Sequence, residues 1–271
     1  MNFPGVYPVY ICRIPASCVY TESVNPVSVR EISSGENRVM HMGKIKIFQN
    51  TEDSVRLGLL LAMVGGYLDA YTYIGRGGVF ANAQTGNIVL LGLYAAQGRW
   101  MQAILVVPPI AAFVCGVAAA ELIKNIASKG LIRDWAQGVL LIEMCILILV
   151  GFIPASVPDL YVTVTISFIA SIQVSSFRTL IDSPYSSTMC TGNLRSATKA
   201  FYEAVTNHDR LAARRSGRFF AIILAFLYGA VLGGVLTARF SEQSVWAAVL
   251  LLSVSFCMLF VDERRRNRKT A

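Results

Sequence analysis

Charge is scarce in this chain of 271 residues, and that scarcity sets the class. Only 15% of residues are Asp, Glu, Lys or Arg, against about 25% in soluble domains. A water-soluble fold of this length has room for a large core, but it also needs a polar surface, which so few charges cannot supply. Histidine is rarer still. His41 and His208 are the two present, so a histidine-rich metal centre is excluded. The six cysteines form no Cys-x-x-Cys pair, and Cys115, Cys145 and Cys257 lie in apolar runs, where they read as small hydrophobes. The chain lacks H-E-x-x-H, G-x-S-x-G and a Walker loop, so it offers no positive signal for an enzyme or a nucleotide-driven pump, and no cofactor is expected. It also lacks an aromatic-plus-basic nucleic-acid motif and an uninterrupted signal-peptide core.

Hydrophobicity is what the chain has: 55% of residues, with a mean hydropathy of +0.55. The sequence reads as an all-α polytopic membrane helix bundle. Six runs approach the roughly 20 apolar residues that a crossing helix needs, at about 57–74, 103–123, 135–153, 160–177, 219–238 and 245–261. Two shorter pieces, 88–97 and 194–206, lie between them. Residues 1–50 read as a poorly ordered extension, 51–263 as the transmembrane domain and 264–271 as a basic cytoplasmic tail. A native start at Met40 or Met42 fits the basic lead-in that follows; a genuine N-terminal tail is the alternative.

The net charge of +8 sits in loops and at the tail, which suits anionic lipid headgroups. The tail, DERRRNRKTA, holds five basic residues and is expected inside. Threading back through six spans places Arg210, Arg214, Arg215 and Arg218 inside, with Lys124, Lys129 and Arg133, and with Lys44, Lys46 and Arg56. The outside loops then keep Arg76, Arg99 and Arg239. Eight spans, with both short pieces crossing, is the second choice.

One stretch organises the rest: GGYLDAYTYIGRGGVFANAQTGNIVLLGL, Gly65 to Leu93. It starts as an apolar helix, acquires Asp69, breaks at Gly75, Gly77 and Gly78, and restarts after Thr85-Gly86-Asn87. The tripeptide returns 106 residues later as Thr191-Gly192-Asn193, and Trp135-Ala136 is matched by Trp246-Ala247, 111 residues on. These matches imply two 3+3 repeats, about 57–156 and 157–262. With three crossings each, the halves are inverted, and each carries a short broken helix after its TGN. Interrupted segments in corresponding positions of inverted halves point to a transporter's binding site.

The same stretch closely resembles the first-half signature of the YoaK-like family, bacterial inner-membrane proteins of unknown function. Glu143 after an apolar LLI run, and Gln173 followed later by TGNL, are similar to that family's pattern. The resemblance covers roughly 57–261. It implies an integral inner-membrane protein of a kind sometimes described as a small-molecule transporter, and it brings no substrate or catalytic residue. The chain departs from the pattern at Asp182-Ser183-Pro184-Tyr185, where a glycine- and threonine-rich break is expected.

Candidate residues follow from depth and chemistry. Thr85, Gly86 and Asn87, and Thr191, Gly192 and Asn193, are expected to cap and turn the short helices. Their free N–H groups would receive an anionic or polar substrate group. Asp69 lies within span one, where a carboxylate needs a cavity or a partner, Arg76 being the nearest basic residue in sequence. Glu143, mid-span, suits proton exchange; a structural, hydrogen-bonded Glu is the plainer alternative. Gln173 more simply bonds between helices than binds substrate, and Asn82 and Gln84 fit either ligand contact or loop tethering. Gly229 and Gly233 suit close packing inside the protein, and Trp100, Trp135 and Trp246 suit interfacial anchoring.

These readings converge on a secondary carrier for a small polar or anionic metabolite, proton-coupled through Glu143 and Asp69. It would sit in the bacterial inner membrane with both termini cytoplasmic. Its partners would be the lipid bilayer and a small-molecule substrate, with no nucleic acid; a homo-oligomer is left open. The alternatives are a non-transporting scaffold or partner subunit and, less favoured, a membrane-embedded enzyme.

Overall fold

The structure, a computed structural model, describes residues 51–128, 135–177 and 190–270, all within the compact unit Lys44–Ala271. The expected N-terminal extension, Lys129, Arg133 and the 182–185 break lie outside the described residues. Those described form eight α-helices: α1 (Thr51–Gly75), α2 (Gln84–Ala96), α3 (Trp100–Ser128), α4 (Trp135–Val150), α5 (Asp159–Ser176), α6 (Cys190–Thr206), α7 (Arg210–Phe240) and α8 (Val245–Thr270), with a 3-10 turn at Ser241–Ser244. No strand occurs among them. In a bilayer the backbone must satisfy itself, and an apolar helix does so within one segment. α3 carries Pro108 and Pro109 in its interior, as crossing helices can where neighbouring groups and local adjustments satisfy the carbonyls that proline frees.

A helix occupies each of the six apolar runs. Four stretches are long and apolar enough to cross a membrane: Val55–Gly75, Trp100–Ile126, Asp159–Ser176 and Arg210–Asp262, the last running through both α7 and α8. Trp135–Val150 is apolar but shorter. α7 begins earlier than its apolar run because Asp209 caps it, its carboxylate accepting from Leu211 N at 2.7 Å. The arginines that follow therefore extend the same helix.

α1 and α5 are the most enclosed of the four stretches, while α3 and the α7–α8 stretch face outward. Their outward residues are apolar: Ile104, Val114 and Leu122 on α3, and Leu224, Tyr228 and Val231 on α7. That is the reverse of a soluble surface. α1 lies chiefly on α7, and α3 on α5; α2 lies on α3, α6 on α7, and α4 on α8. Small residues permit the closest of these approaches. A Cβ on Gly66 would meet the Phe226 carbonyl of α7, and one on Gly229 or Gly233 would meet the Met63 or Tyr67 carbonyl of α1. The G-x-x-x-G therefore packs internally, as expected.

Of the three tryptophans, only Trp100 faces outward. Trp135 is buried, and Trp246 donates from Nε1 to the Ile148 carbonyl at 3.2 Å. The start of α8 thus meets the end of α4, and the two helices run antiparallel. Trp135 is therefore a packing residue, which corrects the expectation of an interfacial anchor there, while Trp246 is half-buried.

Candidate functional site

The first site grows out of the break after α1. Gly77 and Gly78 adopt φ of +82° and +72°, which turns the chain back on itself. The returning segment is then fastened to α1, some 9 Å along the helix axis before its end by helix geometry. Asp69 Oδ1 accepts from Asn82 N at 2.6 Å and from Ala83 N at 3.4 Å, and Asn82 Nδ2 donates to the Gly65 carbonyl at 3.3 Å. From α5, Ser167 Oγ donates to the Ala81 carbonyl at 3.0 Å. Asp69 and Asn82 are both buried, and Asp69 Oδ2 and Asn82 Oδ1 have no hydrogen-bond partner. A buried acceptor left unmade costs about 1–3 kcal/mol, so the contact is not built for stability alone.

The TGN residues play a different part from the one expected. α2 begins at Gln84, and its N-cap is Ala83, with no side-chain cap bond. Thr85, Gly86 and Asn87 therefore stand inside the first turn, not before it. Asn87 is buried. Its Oδ1 accepts from Phe80 N and its Nδ2 donates to Phe80 O, both at 2.8 Å, and Nδ2 also reaches Gln84 Oε1 at 2.9 Å. A Cβ on Gly86 would lie 2.8 Å from the Phe80 ring, so glycine is there for that ring and not for a bend. The N–H groups of Gln84, Gly86 and Asn87 bond the Asn82 or Ala83 carbonyls. Together with the Asp69 bonds, these leave the start of α2 poorly suited to an incoming anion.

In the second half, α6 already includes Cys190, so Thr191, Gly192 and Asn193 are again helical. Asn193 is buried and Thr191 exposed, the pattern of Asn87 and Thr85. α6 is not among the stretches that could cross a membrane. Burial and, second, the Asp69 carboxylate push the Cys190 thiol up.

Glu143 is fully enclosed in α4, and neither of its oxygens has a hydrogen-bond partner. Gln173 of α5 lies beside it; its Nε2 and Ser176 Oγ are also buried and unpartnered. Sequence reasoning nominated Glu143 and Gln173 separately, and the fold makes them neighbours.

Arg76 does not pair with Asp69. It is fully buried at the end of α1, where Nη2 donates to the Ile153 carbonyl at 2.8 Å, Nε to Tyr71 Oη at 3.3 Å, and Nη1 lies 3.7 Å from Asp159 Oδ1. Tyr71 Oη in turn donates to the Glu242 carbonyl at 3.1 Å. Sequence reasoning missed Tyr71 and Asp159, and the sign of charge was the available clue to the latter. No group of three or more metal-binding side chains occurs among the described residues.

Residues 57–258 match the family described as protein of unknown function (DUF1275). The chain is 28% identical over 205 residues to the UPF0700 transmembrane protein YoaK of Bacillus subtilis (strain 168), an alignment covering 71% of this chain and 88% of that protein. No solved structure matches.

Proposed function

The chain belongs to the DUF1275 family, and we propose that it is a secondary carrier of the bacterial inner membrane that moves a small polar solute and exchanges protons at Glu143. Six helices cross in this reading, as two inverted halves with both termini inside. The observation that carries it is the break beside Asp69. Non-helical backbone held against the interior of a crossing helix is tolerated where it lines a cavity or is buried in protein. Here the returning segment is bonded to Asp69 in the interior of α1.

Several features support the inverted arrangement. α1 packs on α7 as α5 packs on α3, which is the exchange a two-fold axis between the halves would give. The bonds of Arg76 and Tyr71 gather the end of α1, the end of α4, the start of α5 and the α7–α8 turn. Those are the loops that charge counting assigns outside. An anionic solute remains compatible only through the start of α6, because the start of α2 is already occupied by the protein's own groups.

The test is uptake by the full chain in proteoliposomes across a panel of amines, amino acids and organic acids, with and without a pH gradient. Flux driven by the gradient in the wild type and decoupled from it in Glu143→Gln is the expected result. Absence of flux for every solute, with Glu143→Gln and Asp69→Asn silent in cells, would refute the reading. Ser156→Cys and Gln243→Cys should react with impermeant thiol reagents from the periplasm and Gly217→Cys from the cytoplasm. Labelling of positions 156 and 217 from one side would end the six-crossing topology.

A further inference from the structure

Around the first break most donor groups already have an acceptor, and two oxygens remain without a partner. The backbone N–H groups of Asn82 and Ala83 are taken by Asp69 Oδ1, Asn82 Nδ2 by Gly65 O, and Gln84 Nε2 and Ser167 Oγ by Ala81 O. Asn87 Nδ2 is taken by Phe80 O and Gln84 Oε1. Arg76, the nearest cation in sequence, is turned away to Ile153 and Asp159. What is left is Asp69 Oδ2 and Asn82 Oδ1, on two side chains already in contact, each more than nine-tenths buried and each without a partner.

Such a remainder repels anions and leaves an apolar group nothing to satisfy. It suits a cation. Two hard oxygen donors favour alkali and alkaline-earth ions over thiol- or imidazole-seeking metals. A single carboxylate balances one positive charge, and enclosure favours a small ion over an organic ammonium. Interrupted helices supply such oxygens to sodium in carriers.

We propose that Asp69 and Asn82 form a sodium site at the break between α1 and α2. The site is separate from Glu143 and does not require that the protein transport anything. A bound ion would satisfy both orphaned oxygens at once and fix the returning segment on α1.

The probe is sodium chloride, and the readout is thermal unfolding of the full chain in detergent, with choline chloride holding ionic strength constant. The expected result is a saturable rise of roughly 5 °C between trace and saturating sodium. It should be absent in Asp69→Asn and reached only at about tenfold higher sodium in Asn82→Ala, while Glu143→Gln retains it in full. If Asp69→Asn fails to fold, equilibrium binding of radioactive sodium to the wild type and to Asn82→Ala decides the matter. Equal midpoints in sodium and choline overturn the proposal, as does an equal response to potassium, a response that survives in Asp69→Asn, or stabilisation by acid alone. Sodium binding without flux would leave the site standing and remove the carrier; flux with no sodium response would do the reverse.

Discussion

Asn87 reaches back across the chain break and clasps the backbone of Phe80 on both sides, accepting from its N–H and donating to its carbonyl at 2.8 Å each. The residue ahead of it, Gly86, leaves room for the ring, and that ring stacks on Tyr73 at 4.7 Å. Two of the three residues in the repeated tripeptide therefore act on one phenylalanine. They set the shape of the break, and the break in turn delivers Asn82 to Asp69.

Replacing Asn87 by Ala removes both contacts at a buried position. Leaving an acceptor and a donor of Phe80 unmade costs about 1–3 kcal/mol for each group that water cannot reach. A lowered unfolding midpoint in detergent is expected. Thr85→Ala, at an exposed position in the same turn, should stay within about 0.5 kcal/mol of the wild type. Equal losses in the two variants would show that the tripeptide acts as a cap after all.

The glycines of α7 divide by what they face. A side chain at Gly229 meets the Met63 backbone of α1, whereas at Gly217 nothing lies within 4 Å. Gly229→Ala forces α1 and α7 apart, and overpacking of this kind costs about 1–3 kcal/mol. Gly217→Ala relieves only a flexible residue in a helix and should stabilise by about 0.5–1 kcal/mol. Midpoints moving in opposite directions are the expected signature.

At the other end of α1, Arg76 and Asp159 are unequal partners. The arginine is fully buried, while the aspartate side chain is 43% exposed and the pair is 3.7 Å apart. Water and salt screen such a carboxylate, so Asp159→Asn should cost under about 1 kcal/mol. Arg76→Met also removes the bonds that Arg76 donates to Ile153 O and to Tyr71 Oη, so it should cost two to three times as much. A double-mutant cycle isolates the ion pair, and a coupling that accounts for the whole Arg76 loss would contradict the geometry.

Much of this architecture was legible from the residues. Apolar runs of crossing length placed helices at all six positions, because in lipid a long apolar segment has few other ways to satisfy its backbone. The small residues of α7 announced a close internal contact, though not that α1 makes it. The details of the site were less legible, for three physical reasons. Asn87 has a capping residue's chemistry, yet it bonds Phe80 seven residues earlier, a choice fixed by the two positive-φ glycines between α1 and Phe80. Arg76 lies seven residues from Asp69, but its partners lie 77 and 83 residues away, in helices whose ends only the tertiary fold brings together. Trp135 stands where interfacial tryptophans stand, and its burial depends on tertiary packing that its own sequence neighbourhood does not announce.

Glu143 sets stability against function. Its carboxyl is fully buried beside Gln173, with neither oxygen bonded. An ionised carboxylate in such a place costs several kcal/mol, and a neutral one still leaves its hydrogen-bonding groups unused. Gln keeps the shape and removes the charge, and its amide can pair with Gln173. The Glu143→Gln chain should therefore unfold at the same temperature as the wild type or higher, by up to about 2 kcal/mol. If Glu143 is where the proton is exchanged, the same variant loses flux driven by a pH gradient while still passing solute down its own gradient. A residue kept only to pack two helices would give the first result without the second. Thermal unfolding and gradient-driven uptake measured on one preparation separate these cases, and unfolding at a clearly lower temperature would mean that the carboxyl has a bonded partner after all.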